Sequence, residues 1–289
     1  MIRSPSQTMT WDKCHFKWYL SRIKGVRDVA IGKRELAACV GKGVGAAMSL
    51  HFNHRDSWTP GQLVEVAQSV YDSELQVELD TGRSLIGLPE EVKYPELMPG
   101  MISAYFKKPC IPDDSTILGT EYKCGEDNNS YIDIWGENQR GYWVIDWKCK
   151  MKATPYQVTQ ELAKYKNSWQ LGHYVWSLER LLKEWPKTAG IGLFVGEPTA
   201  RFQYMEFEVD LGFMKWWEAS ARRLWAEMDA AEEWLDKHPH ADVEEIREHL
   251  GMATDHRVDG FYRCEYDDLC FLYDGDPTLA GNLITVERR

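Results

Sequence analysis

Residues 131–150 read YIDIWGENQRGYWVIDWKCK, two apolar segments joined by the turn-rich ENQRG. Tyr131–Gly136 and Tyr142–Cys149 are short and rich in aromatic and β-branched residues. That composition, with so tight a connection, predicts two strands paired antiparallel. Each segment carries charge where a core strand usually has none. Asp133 lies in the middle of the first, and Asp146 and Lys148 lie two apart in the second. Successive strand side chains alternate faces, so Asp146 and Lys148 project from one side with roughly 6–7 Å of rise between them. Charged groups are costly to bury unless they are paired or bound to something.

Immediately upstream, Thr116–Lys123 (TILGTEYK) has the same character, and GEDNNS separates it from YIDIW. Three consecutive strands pairing as a meander are expected. Across the short turn Asp133 and Asp146 become neighbours, and Glu121 on the preceding strand can join them. Three carboxylates and a lysine on one sheet face repel and desolvate one another without a counter-charge. Hard divalent cations take oxygen ligands, and Mg²⁺ commonly uses one or two carboxylates with waters and substrate phosphate. Such an ion polarises a phosphoryl oxygen and activates water, while a nearby Lys positions that water or offsets phosphate charge. D-x-K alone is a common tripeptide, and its plainest reading is a weak surface ion pair on an edge strand. With Asp133 and Glu121 beside it, a metal site facing a scissile phosphate is the better reading.

Outward from this unit the periodicity is helical. Ser4-Pro5-Ser6 can cap a helix running through Trp11, Phe16 and Tyr19 to a stop at Gly25, and residues 34–54, 60–81 and 95–107 read as further helices. Pro155 opens a long helix to about Trp185, with Leu162, Tyr165, Trp169, His173 and Trp176 near helical spacing. Ile191–Val195 and Phe202–Val209 read as strands, 211–237 and 242–250 as helices, and 251–289 as irregular. The order of elements predicts an α/β fold, a central mixed sheet flanked by helices, with helical N-terminal and C-terminal elaborations. A single domain over 1–289 is expected, its N-terminal part helical (1–110), its core the sheet (111–210) and its C-terminal part helical and cysteine-containing (211–289).

Composition narrows the setting. With 44% hydrophobic and 12% aromatic residues the chain is globular, and seven irregularly spaced cysteines point to a reducing compartment. MIRSPSQTMTWDK lacks the apolar core of a secretory signal, and no stretch approaches the roughly 18 apolar residues of a membrane helix. An intracellular, cytoplasmic protein with no membrane partner is expected. The net charge of −11 is unusual for a nucleic-acid binder, but it is unevenly spread. Between 148 and 166, Lys148, Lys150, Lys152, Lys164 and Lys166 face only Glu161, a local +4, whereas 210–250 hold eleven acids against five bases. A positive strip therefore lies beside the suspect strand, with Lys150 a candidate to touch a polyanionic substrate.

The pattern of a strand with Asp, a turn, then D-x-K resembles the PD-(D/E)xK nuclease superfamily, in its RecB-like exonuclease branch, which includes CRISPR-adaptation nucleases and phage exonucleases. Four segments carry the likeness in the family's order: SPSQTMTWDKCHFKWYL, then GTEYK with YIDIW and VIDWK, then Gln170 and Tyr174 in a Q-x-x-x-Y helix, then YRCEYDDLC. The resemblance implies a restriction-endonuclease-like core and Asp133 and Asp146 as ligands to Mg²⁺ or Mn²⁺, with Glu121 in support. It also implies Lys148 as the catalytic lysine, and Gln170 and Tyr174 as residues orienting the DNA strand or the groups behind the site. The activity implied is a metal-dependent DNA exonuclease working on ends or single strands in recombination, repair or phage DNA processing, in the cytoplasm, with a possible protein partner in a recombination or replication complex. The alternative is a catalytically weakened relative that binds DNA or a nuclease, and a third reading is a nuclease of another polarity or substrate. Two departures stand out. The branch usually has a metal-ligating His where GKGVGAAM places Gly45, and His51 lies six residues later. Members with an iron–sulfur cluster use four cysteines; Cys14, Cys264 and Cys270 fit three of those places, and Phe261 occupies the fourth.

Overall fold

A computed structural model of the chain describes residues 2–28, 31–54, 57–85, 94–111, 114–124, 130–251, 266 and 283–285. These divide into two compact units, one of Ile31–Asp80 and Leu85–Met214, the other of Met1–Ala30, Thr81–Ser84 and Lys215–Arg289.

The first unit holds a five-stranded sheet of β2 (Thr116–Lys123), β3 (Tyr131–Asn138), β4 (Gly141–Lys152), β5 (Thr188–Glu197) and β6 (Arg201–Glu208), in that spatial order. All neighbours are antiparallel except β4 and β5, which run parallel. The sheet is therefore mixed, as the sequence implies. A parallel pair needs a crossover. Two helices supply it, α6 (Pro155–Tyr165) and α7 (Trp169–Leu182). β5, flanked on both sides and parallel to β4, is buried from its first residue to its ninth.

Helices α3 (Lys33–Asn53), α4 (Pro60–Asp80) and α5 (Met98–Lys107) cover one face. Val44, Met48, Ala67, Met101 and Tyr105 join Ile134, Ile145, Trp147 and Phe194 in one core. Phe52 of α3 stacks on Trp147 with ring centroids 5.9 Å apart, which anchors that helix one residue before Lys148. Trp147 needs Gly192 beside it, because a Cβ there would lie 2.2 Å from the indole. Since Ile145 and Trp147 face this core, alternation turns Asp146 and Lys148 to the opposite face. Tyr165 of α6 meets Lys148 there.

The second unit contains α1 (Pro5–Lys13), α2 (His15–Trp18), a π-turn (Tyr19–Ile23), β1 (Val26–Asp28), most of α8 (Leu211–Lys237), α9 (Val243–Leu250) and β7 (Leu283–Thr285). β1 pairs antiparallel with β7, so the C-terminal stretch read as irregular contributes a strand. Arg3, nearly buried, is held by Glu232 at 2.6 Å. Among the described residues no helix is long and apolar enough to cross a membrane.

Two helices expected to be continuous are broken. The N-terminal one stops at Cys14, which is extended (φ −164°) and caps α2 by accepting from the Lys17 N–H through Sγ. The long one stops at Tyr165, and Ser168 starts α7 as a new N-cap, its Oγ accepting from Leu171 N–H at 3.1 Å. Hydrophobic spacing continues across both breaks, so periodicity alone misses them, whereas a Ser that caps can compete with helix continuation.

Candidate active site

Backbone pairing between β3 and β4 runs from Asn138↔Gly141 to Ile134↔Ile145 and goes no further. Asp133 and Asp146 are the next facing residues, at the point where the strands part. There a side chain replaces the missing ladder: Asp133 Oδ2 accepts from the Trp147 backbone N–H at 2.6 Å. One carboxylate oxygen is thus fixed by β4 itself.

Asp146 is 1% exposed, and Lys148 Nζ lies 2.8 Å from its Oδ1 and 2.7 Å from its Oδ2. The weak surface pair is therefore not what forms; the carboxylate is buried and engaged at both oxygens. Lys148 keeps about a fifth of its side chain in contact with solvent, and its ammonium lies 5.9 Å above the Tyr165 ring. Burial works against charge on Lys148, but Asp146 and Asp133 outweigh it and raise its pKa. Burial, then the charge of Asp146, pushes the Asp133 carboxyl well above the usual carboxylate range, against the pull of Lys148 and the Trp147 N–H. A site that raises both an acid and its neighbouring cation is short of positive charge.

Glu121 lies opposite Asp133 by the register of its neighbours, Thr120↔Ile134 and Tyr122↔Ile132. Its φ is +47°, a left-handed conformation rare for a side-chain-bearing residue within a strand. Such outliers cost about 1–3 kcal/mol and concentrate at functional sites. The residue remains exposed, yet crowding around the carboxyl raises its pKa by desolvation. Gly45 of α3 is beside it: a Cβ built there would lie 3.9 Å from Glu121 Oε1 and near nothing else. His51 packs instead against Phe52, Tyr105 and Phe106.

Gln170 Nε2 donates to the Tyr174 hydroxyl at 2.7 Å, the helical neighbours their spacing requires. Tyr174 is buried, and after desolvation the charges of Asp133 and Asp146 raise its hydroxyl pKa. Lys150 Nζ is 3.4 Å from Glu161, which also draws Lys164. Cys14 is buried as a helix cap; Cys264 and Cys270 lie outside the described residues, as does Phe261.

A cleft of about 950 Å³ opens at the fork, bounded by α3 and the ends of β2, β3 and β4. Gly45, Glu121, Tyr131, Asp133 and Lys148 line it. Asp146 lies behind this surface. Among the described residues no three His, Cys, Asp or Glu side chains are grouped to hold an ion. What the fold brings together is two facing aspartates with one lysine, and Glu121 acts on Asp133 through space. Sequence reasoning missed the Tyr165 contact, the Trp147 N–H and the exposed Tyr131. The last was visible as the residue two before Asp133, on its face.

A family model for the PD-(D/E)XK nuclease superfamily matches residues 3–271. No curated protein matches the chain significantly. A solved structure described as the crystal structure of LHK-Exo in complex with dAMP is similar at 14% identity and a TM-score of 0.32, over 72% of this chain and 98% of that one.

Proposed function

The chain belongs to the PD-(D/E)XK nuclease superfamily, and from that premise we propose that it is a divalent-metal-dependent deoxyribonuclease acting as an exonuclease on DNA ends or single strands. The observation that carries this reading is the charge at the fork. Glu74, Glu121 and Asp133 line the cleft against Lys42 and Lys148, with Asp146 buried behind them. Lys42 is already spent on Glu74. A phosphodiester would be repelled from such a surface unless added cations offset it. The donors fit a hard ion: oxygen only, with two facing carboxylates, which is the protein share that Mg²⁺ commonly takes. Asp133 and Asp146 would hold Mg²⁺ or Mn²⁺, with Glu121 in support. Bound there, the ion supplies Lewis acidity and lowers the pKa of coordinated water.

The chain's own residues supply the rest. The Trp147 N–H keeps Asp133 aimed while its second oxygen stays available. The Lys148 ammonium has three donors, and a hydrogen bond not used by Asp146 can reach a phosphoryl oxygen or the attacking water in the cleft. Hydrolysis adds water across one P–O bond, and the departing sugar oxygen must gain a proton. The proton lost by the attacking water reaches that oxygen through solvent, and the Lys148 ammonium, kept protonated beside two aspartates, would steady the developing charge. Gln170 and Tyr174 would support the aspartates, and Lys150, two residues beyond Lys148 on β4, would offer further charge to the substrate. A role in recombination, repair or phage DNA processing, inside the cell, fits such an activity.

A second reading, a catalytically weakened relative that binds DNA or a partner nuclease, is favoured by Gly45 in place of a ligating side chain. One experiment separates the two. Purified protein with Mg²⁺ or Mn²⁺ is expected to degrade labelled linear single-stranded DNA, to act less on covalently closed circles, and to lose about 10²–10⁴-fold in rate as Lys148→Ala. Cleavage by that variant at the wild-type rate would end the catalytic assignment, and no cleavage by wild type with DNA binding intact would favour the second reading.

A further inference from the structure

β3 buries Ile132, Ile134 and Trp135, yet its first residue, Tyr131, is 43% exposed and opens onto the cleft. Exposed aromatics scattered singly over a surface need no explanation. Tyr131 is not placed at random. It stands two residues before Asp133 on one strand, so both side chains leave the sheet from the same face, roughly 6–7 Å apart along it. Its ring is therefore about one residue-pair from the carboxylate at the fork. Its register partner is Lys123, exposed on the adjacent strand. Across the cleft, α3 leaves two open positions among Lys42, Ser49 and Asn53: an added Cβ at Gly41 would meet nothing within 4 Å, and at Gly45 only the Glu121 oxygen. A flat ring has room to lie there.

We infer that Tyr131 is the base-stacking platform of this cleft, and that the strand it accepts is unpaired. The inference rests on the nuclease reading above and adds to it the substrate class and the residue that selects it. A phosphodiester seated at Asp133 and Lys148 carries its base on a short tether, and Tyr131 offers a π-face at about that reach. Every base has a π-face, so stacking tolerates any sequence, and its loss typically weakens binding by about 5- to 150-fold per base. In a duplex the same base is already stacked and paired, and reaching Tyr131 would require it to be extruded from the stack. Tyr131 thereby favours single strands and frayed ends over intact duplex. It touches substrate without taking part in bond cleavage, so its effect falls on KM.

The test uses the full chain, single-stranded oligodeoxynucleotides and a series carrying one abasic site moved along the strand. Tyr131→Ala is expected to raise KM by about 5- to 150-fold with kcat preserved, and Tyr131→Phe to behave as wild type, since the ring and not the hydroxyl stacks. Anisotropy of a labelled oligonucleotide without divalent metal reads the same loss independently of cleavage. In wild type one abasic position should reproduce the loss, and in Tyr131→Ala that position should cost nothing more. Wild-type KM and affinity in Tyr131→Ala, or additive losses from the variant and the abasic site, would overturn the inference while Lys148→Ala remains inactive. Full activity in Lys148→Ala would instead overturn the nuclease assignment beneath it.

Discussion

Asp146 is almost fully removed from solvent, and both its oxygens lie within hydrogen-bond distance of one ammonium. Deleting Lys148 therefore does two things at once: it removes the proposed catalytic cation and leaves a carboxylate buried without its partner. Breaking a buried pair from one side typically costs about 3 kcal/mol, and partial exposure of Lys148 moderates that here. Lys148→Met is expected to lose stability of this order in denaturant unfolding. Lys148→Met combined with Asp146→Asn should recover most of it, because neither charge remains. Activity should stay absent in both. Such a cycle separates folding from chemistry, and single and double variants of equal stability would contradict the pairing. Glu121 and Gly45 carry the other residue-scale information. A left-handed φ within β2 and an uncrowded Gly on α3 meet at one point of the cleft. Neither is legible in GTEYK or GKGVGAAM, because backbone twist and free space are not properties of residue type.

At the scale of elements, the crossover helices decide how the site is backed. α7 buries Leu171, His173, Tyr174, Val175, Trp176 and Leu178. Burial lowers the His173 pKa from 6.5 to about 4. The unfolded chain therefore takes up the proton first as pH falls. Stability from keeping this ring neutral is complete above about pH 6.5 and is lost progressively toward pH 4, with a full difference of about 3 kcal/mol. Thermal unfolding followed by circular dichroism should show the midpoint falling across that window, and His173→Gln should flatten the fall. An unchanged slope in the variant would mean that other groups carry the acid sensitivity. In the sequence, His173 is only one more position at helical spacing. Nothing local distinguishes a buried neutral imidazole from an exposed one. The same applies to the break before Ser168, where the apolar rhythm runs on although the helix does not.

For the whole molecule, the question is how a chain of net charge −11 holds a polyanion. The positive strip from 148 to 166 is partly neutralised by Glu161, which draws both Lys150 and Lys164. Glu161 offsets one of the strip's five lysines, so a modest salt dependence of DNA binding is expected. Each phosphate neutralised on a single strand contributes a slope of about −0.7 in log affinity against log salt, and Lys164→Glu should weaken binding and make that slope shallower. Affinity indifferent to both salt and Lys164→Glu would place the DNA elsewhere. By itself the sequence determined the strand meander, the mixed sheet and the placing of Asp146 and Lys148 on one face, because strand alternation is local and has a period of two. Only the tertiary structure decided that Lys148 pairs with Asp146, that Asp133 is held by the Trp147 N–H, and that Glu121 acts from a distance on Asp133. Those outcomes depend on where β3 and β4 part and on which helices cover each face, and the burial of residues far apart in the chain sets both.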